Sequence, residues 1–288
     1  MATEHHIENP AEYAVEKVAW AFRDFSRFII PHPERHAGQV VPQVRRITMA
    51  DIGDALRKGV NDLGAFRDDV VFIGVIYPIA GLVLAAVAFN ADLMPMLFPL
   101  ASGFAIMGPV AATGLYEMSR RREQGQHVTW LDAFKAFSSP AIGSIVGMGV
   151  ILLALFGLWL GAAYQIGLAT LGPNAAPTLR AFTHDVFWSQ ASPMLIAGGL
   201  GVGFLFAALS FAIGVVTVPL LLDRDVGLWI AIQTSIKAVM ANLGVMIVWG
   251  LTIAGALALG SLPALVGLVF VVPVLGHASW HFYRKVVV

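Results

Sequence analysis

The chain has 288 residues, of which 58% are hydrophobic and 12% charged. A soluble globular domain is nearer a quarter charged, so the composition excludes an ordinary cytosolic enzyme. Lys plus Arg (18) equals Asp plus Glu (18), which leaves no basic field for nucleic acid. Cysteine is absent, which excludes disulfides, iron–sulfur clusters and thiolate zinc sites.

Residues 1–47 read as a cytoplasmic arm, separate from a membrane domain at 48–288. In the arm, Asn9, Pro10 and Glu12 mark a helix start, and Tyr13, Val15, Trp20, Phe22 and Phe28 give it an apolar face. A linker rich in Pro and His follows, from Pro31 to Pro42. This helix either solvates the basic arm or docks a partner.

Crossing about 30 Å of hydrocarbon takes roughly 20 apolar residues as a helix. Long stretches free of Asp, Glu, Lys and Arg place spans at about 70–90, 94–117, 142–170, 193–222, 242–260 and 263–283. The last two are separated by Gly260-Ser261-Leu262-Pro263, a helix-breaking sequence. With six spans, every Lys and Arg except Arg180 falls on one side. The positive-inside rule makes that side cytoplasmic and puts both termini there. No signal peptide is expected, since the first long apolar run begins at Val70.

The segment before each odd-numbered span repeats a pattern: a capping residue, a short amphipathic helix with a basic residue, then a hairpin of two spans. Thr48 with Asp51, and Thr129 with Asp132, have capping-box spacing; Asp225 is the expected third cap. The first helix sets Ile52, Leu56, Leu63 and Phe66 against Asp54, Arg57, Lys58 and Asp62. The second has Trp130, Phe134 and Phe137 beside Lys135; the third has Trp229, Ile232, Ile236 and Val239 beside Lys237. Such helices lie in the headgroup plane. The expected fold is all-α: a polytopic bundle of three hairpins, each preceded by a cytoplasmic interfacial helix. Trp130, Trp229, Trp280, Tyr283, Arg284 and Lys285 are the expected interface anchors. Pro219, Asp223, Arg224, Asp225 and Pro273 mark the structural junctions. Outside, Leu179, Phe182 and Val186 suggest a further surface turn.

Little in the chain points to chemistry. His277 and His281 sit at i and i+4 on the last helix, a spacing that grips one metal ion if a third ligand arrives. The commoner role for such a pair is hydrogen bonding at the interface, so neither metal nor cofactor is expected. The mid-depth polar set is thin: Ser102, Thr113, Ser144, Tyr164, Gln165, Ser210, Thr217 and Thr252. No mid-span residue is acidic, Lys or Arg, as a proton or ion relay would require. Gly143-x3-Gly147, Gly157-x3-Gly161 and Gly199-x3-Gly203 read as close-packing faces. No G-x-S-x-G, H-E-x-x-H or P-loop is present.

The string PLLLDRD at 219–225 and VPVLGHASWHFYR at 272–284 resemble a family of bacterial integral membrane proteins of unknown function, DUF2189. Ala55-Leu56-Arg57-Lys58-Gly59, Gly108-Pro109 and Tyr116-Glu117 extend the resemblance to about 47–284. It implies a six-helix protein of the bacterial inner membrane with no established activity. Some relatives carry the name cytochrome oxidase subunit I, but this chain lacks the spans and intramembrane histidines that haem and copper need.

These readings favour a non-enzymatic accessory or assembly protein whose partners are the lipid bilayer and another membrane protein. A permease or channel for a small neutral or lipophilic solute is the alternative. A metal or haem protein attached to a respiratory complex is the weaker one.

Overall fold

The computed structural model describes residues 42–65, 96–172, 179–263 and 265–288, together with Ile79, Leu82 and Ala86. The expected arm helix and, apart from those three residues, the first expected span lie outside the described residues. Among those described, the chain is helical, with a single isolated β-bridge between Val44 and Val287.

Eleven α-helices and one 3-10 helix are described. They are α1 Met49–Ala65, α2 Leu97–Ile106, α3 Gly108–Ala111 and α4 Thr113–Glu123. The 3-10 helix Trp130–Ser138 leads into α5 Ile142–Leu171, α6 Leu179–Trp188 and α7 Ser192–Gly214. Then come α8 Thr217–Asp223, α9 Leu228–Ala241, α10 Leu243–Ser261 and α11 Leu268–Val286.

Among the described residues, three stretches are long and apolar enough to cross a membrane: Ile142–Leu171, Ser192–Asp223 and Leu243–Ser261. All three lie where spans are expected. The span expected at 94–117 is in three pieces, α2 to α4, interrupted at Met107 and Ala112. Pro109 accounts for the interruption at Met107: it has no N–H to donate, and its ring clashes with the carbonyl four residues back. The last helix starts at Leu268, not near Pro263, because the turn after α10 is longer. Leu265 takes a positive φ of 68° there. Gly267 comes so close to Gly260 that a Cβ would lie 2.6 Å from the Gly260 carbonyl oxygen.

Trp159 centres the packing of α2, α5 and α7. Its indole N–H donates to the Pro99 carbonyl at 3.0 Å, and its ring lies 5.8 Å from that of Phe206. Gly203 of α7 leaves room for the ring, since a Cβ there would sit 3.0 Å from it. A second of the three expected glycine faces behaves differently. A Cβ at Gly157 or Gly161 would meet nothing within 4 Å among the described residues, so that pair is not a packing seam between described helices. The expectation came from spacing alone, and spacing does not say which way a helix face turns.

The leading helices also differ from expectation. α1 is a helix where one was expected, but its buried positions are Ile52, Ala55, Gly59 and Asp62. Asp62 thus moves from the expected solvent face to the inside, and the seam is made of small residues. The second unit is a 3-10 helix whose buried positions are Asp132, Ala133 and Ala136. The third starts at Leu228 with Gly227 as N-cap at φ 75°, so Asp225 is not the cap. A glycine reaches that conformation without strain, whereas an aspartate pays a steric penalty. The expected outer turn is a full helix, α6.

Candidate functional site

The polar chemistry of the described residues gathers where α1, α4, α8 and α11 meet. α1 runs antiparallel to α11. Val44 pairs with Val287, Lys285 binds Asp54 at 2.8 Å, and Gly59 lies against Ala278 and the Val274 carbonyl. That approach needs glycine: a Cβ at residue 59 would come within 2.7 Å of the carbonyl oxygen. The contact brings Asp62 opposite His277 and His281.

Asp62 is 4% exposed. Its Oδ2 accepts from the Ser119 hydroxyl at 2.5 Å and lies 2.9 Å from His281 Nε2. Its Oδ1 accepts from Arg122. Burial would raise the pKa of this carboxyl, but hydrogen bonds from His281 and Ser119 outweigh it and hold the pKa below its ordinary value. His277, wholly buried, places Nδ1 2.8 Å from Ser119 Oγ. The one hydroxyl proton of Ser119 goes to Asp62, so the ring nitrogen donates to Ser119. The order is therefore His277 to Ser119 to Asp62, with His281 and Arg122 on the same carboxylate.

Serine, histidine and aspartate in contact suggest a hydrolase, but the arrangement is wrong for one. A nucleophilic serine must give its proton to an imidazole. Here it gives it to the carboxylate, and Ser119 has no exposed surface. The metal candidates His277 and His281 do meet an acidic third residue. However, Arg122 already neutralises that carboxylate, and no group of three or more His, Asp or Glu among the described residues is arranged to hold a metal ion.

A second polar group lies beside the first. The Trp280 indole donates to Glu123 at 3.0 Å, and Arg284 donates to Glu123 at 3.3 Å and to Asp223 at 3.1 Å. Asp223 also accepts from the Tyr283 hydroxyl at 2.6 Å. Arg224 lies 3.6 Å from Asp223 and donates to the Val288 carbonyl at 3.1 Å. Pro219 is buried in α8 and Pro273 in α11. The structure therefore brings together Asp223, Arg224 and Arg284 and leaves Asp225 exposed outside the group. Trp280 and Tyr283 are fully enclosed by protein, not placed at a headgroup surface. Trp229 is exposed, and Trp130 stands edge-on to Phe134 at 6.1 Å.

The mid-depth polar residues do not converge. Ser102 donates to Pro99, Thr113 to Val110, Ser210 to Ile106, Thr217 to Ile213 and Thr252 to Val248, each to a backbone carbonyl. Tyr164 and Gln165 point outward.

Sequence reasoning missed Asp62, Ser119, Glu123 and Asn242. The Asn242 amide accepts from the Ile47 N–H at 2.9 Å and donates to the Arg45 carbonyl at 3.0 Å, tying the start of α1 to the head of α10. Ala55 and Gly59 were the available signal for Asp62. They share its helix face, and small residues in line mark a surface that another helix approaches.

Residues 97–223 match a family model described as a predicted integral membrane protein, DUF2189. The match takes in α2 to α8 and the 219–223 part of the PLLLDRD string, and leaves the closing string at 272–284 outside. No curated protein matches the chain. No solved structure matches it. The matched region and the three helices among the described residues that are long and apolar enough to cross a membrane both point to an integral membrane protein.

Proposed function

We propose that this protein is a non-enzymatic accessory or assembly factor of the bacterial inner membrane, working through contacts with lipid and with another membrane protein. In this reading six spans form three hairpins, each led by a cytoplasmic amphipathic helix, and both termini are cytoplasmic.

One observation carries the reading: the polar side chains are bonded to one another, and the outward faces are apolar. Asp62, Ser119, His277, Glu123, Asp223 and Tyr283 are consumed in joining helices. Leu153 and Leu158 on α5, Phe204 and Leu205 on α7, and Leu251 and Leu259 on α10 face outward. An enzyme presents a reactive group to a cleft, and a transporter gathers polar groups at mid-depth. Neither arrangement is supported by the described residues.

Purification in a mild detergent tests this, followed by mass spectrometry of the intact assembly. A stoichiometric membrane-protein partner is the expected result. A lone protein that moves a neutral solute into liposomes, with single cysteines at Tyr164, Gln165 and Ser210 labelled from water, would replace it with the permease reading. A Soret band would revive the haem reading.

A further inference from the structure

The 3-10 helix Trp130–Ser138 exposes three large apolar side chains at i, i+3 spacing, with Lys135 and Ser138 exposed beside them. Inward, Asp132, Ala133 and Ala136 pack on α4, where Gly114 admits Ala133. The Asp132 carboxylate accepts from the Thr129 N–H at 2.7 Å and the Thr129 hydroxyl at 3.0 Å, and it pairs with Lys135. Outward stand Leu131, Phe134 and Phe137, the last 69% exposed, with the two phenyl rings 6.4 Å apart. The acid of this element is already spent on its own cap.

The outward face has a continuation. Two residues past Pro140 the chain enters α5, whose exposed Val146, Val150 and Leu153 belong to a membrane-crossing stretch. An apolar stripe that leads along the chain into a helix long and apolar enough to cross a membrane, with Lys135 exposed beside it to reach the headgroups, suits acyl chains better than a soluble partner.

We infer that Leu131, Phe134 and Phe137 form a wedge inserted beneath the headgroups of one leaflet, with lipid acyl chains as the occupant. The inference deepens the proposed lipid contact and rests on it. Amphipathic elements of this kind settle about 5–10 Å into the headgroup and acyl boundary. The Thr129–Asp132 cap and the alanine seam hold the wedge rigid, so its depth is set by the fold.

The chain has no cysteine, so single nitroxide labels can be placed at will. Leu131→Cys, Phe134→Cys and Phe137→Cys are labelled in the full-length protein in phosphatidylglycerol–phosphatidylethanolamine nanodiscs. Power saturation is then read with oxygen and with a water-soluble nickel chelate. Arg57→Cys serves as the aqueous reference and Val150→Cys as the lipid reference. The three wedge labels should favour oxygen over nickel several-fold, as Val150→Cys does. Labels that saturate as Arg57→Cys does overturn the inference and make the face a water-exposed surface. Labels shielded from both reagents overturn it too and show protein covering the face. If Val150→Cys itself reads as aqueous, the membrane-spanning reading fails, which is a separate outcome.

Discussion

Gly59 of α1 and Ala278 of α11 meet where the two helices cross, with room for nothing between them: a Cβ on Gly59 would lie 2.8 Å from that of Ala278. Elsewhere on α1, a Cβ on Gly53 would meet nothing within 4 Å among the described residues. The pair makes a controlled experiment. Gly59→Ala should destabilise the protein by about 1–3 kcal/mol, because the backbones must separate. Gly53→Ala should be neutral or stabilising by up to about 1 kcal/mol through helix propensity. Thermal unfolding in detergent compares them, and equal shifts would show that α1 does not pack on α11.

Asp62 joins three elements through one carboxylate. Replacing it by Ala strands Ser119, His281 and Arg122 together, and removing one partner from a buried charged network typically costs about 3–5 kcal/mol. Ser119→Ala removes a single hydroxyl and should cost nearer 1 kcal/mol. Chemical denaturation of the two variants should preserve that ranking. A Ser119→Ala cost as large as that of Asp62→Ala would instead place the His277 contact at the centre of the network.

Lys135, together with the Thr129 N–H, holds the Asp132 carboxyl at about 2. A carboxyl with a depressed folded value contributes stability above its unfolded value near 4, and loses it as pH falls through the folded one. The 3-10 helix should therefore weaken between about pH 4 and pH 2. Asp132→Asn removes that slope and lowers stability at neutral pH. Chemical denaturation of the unsubstituted protein and of Asp132→Asn across a pH series checks both.

The distribution of Lys and Arg predicts sidedness. Alkaline phosphatase fused after Val288 should be inactive and a fluorescent protein there bright. Phosphatase fused near Arg180, the one cation assigned to the other side, should be active. The reverse pattern would invert the topology.

Much of the helical layout was legible. The span expected at 142–170 is Ile142–Leu171, and that at 242–260 is Leu243–Ser261, because uninterrupted apolar runs leave few other solutions. The caps at Thr48 and Thr129 were legible too. Asp51 Oδ2 accepts from the Thr48 N–H at 2.8 Å, and Asp132 does the same for Thr129, since capping is local chemistry. The polar site was not legible. Asp62 is 57 residues from Ser119 and 219 from His281, and hydropathy along one helix says nothing of partners so distant. Trp280 and Tyr283 looked like anchors because they end an apolar helix beside Arg284. Trp280 is bonded to Glu123 of α4 and Tyr283 to Asp223 of α8, partners that periodicity in α11 does not reveal. Met107 and Ala112 break a stretch whose composition is continuous, and only Pro109 hinted at it.

The antiparallel docking of α1 on α11 has a consequence for biogenesis. His281 leaves the ribosome 219 residues after Asp62, which at 5–20 residues per second is a delay of roughly 10–45 s. For that interval the carboxylate has none of its histidine partners, while the intervening helices enter the bilayer. The nascent chain must keep α1 at an aqueous boundary until synthesis is nearly complete, and a stalled or shortened translation product would leave that helix bare for quality-control proteases to find.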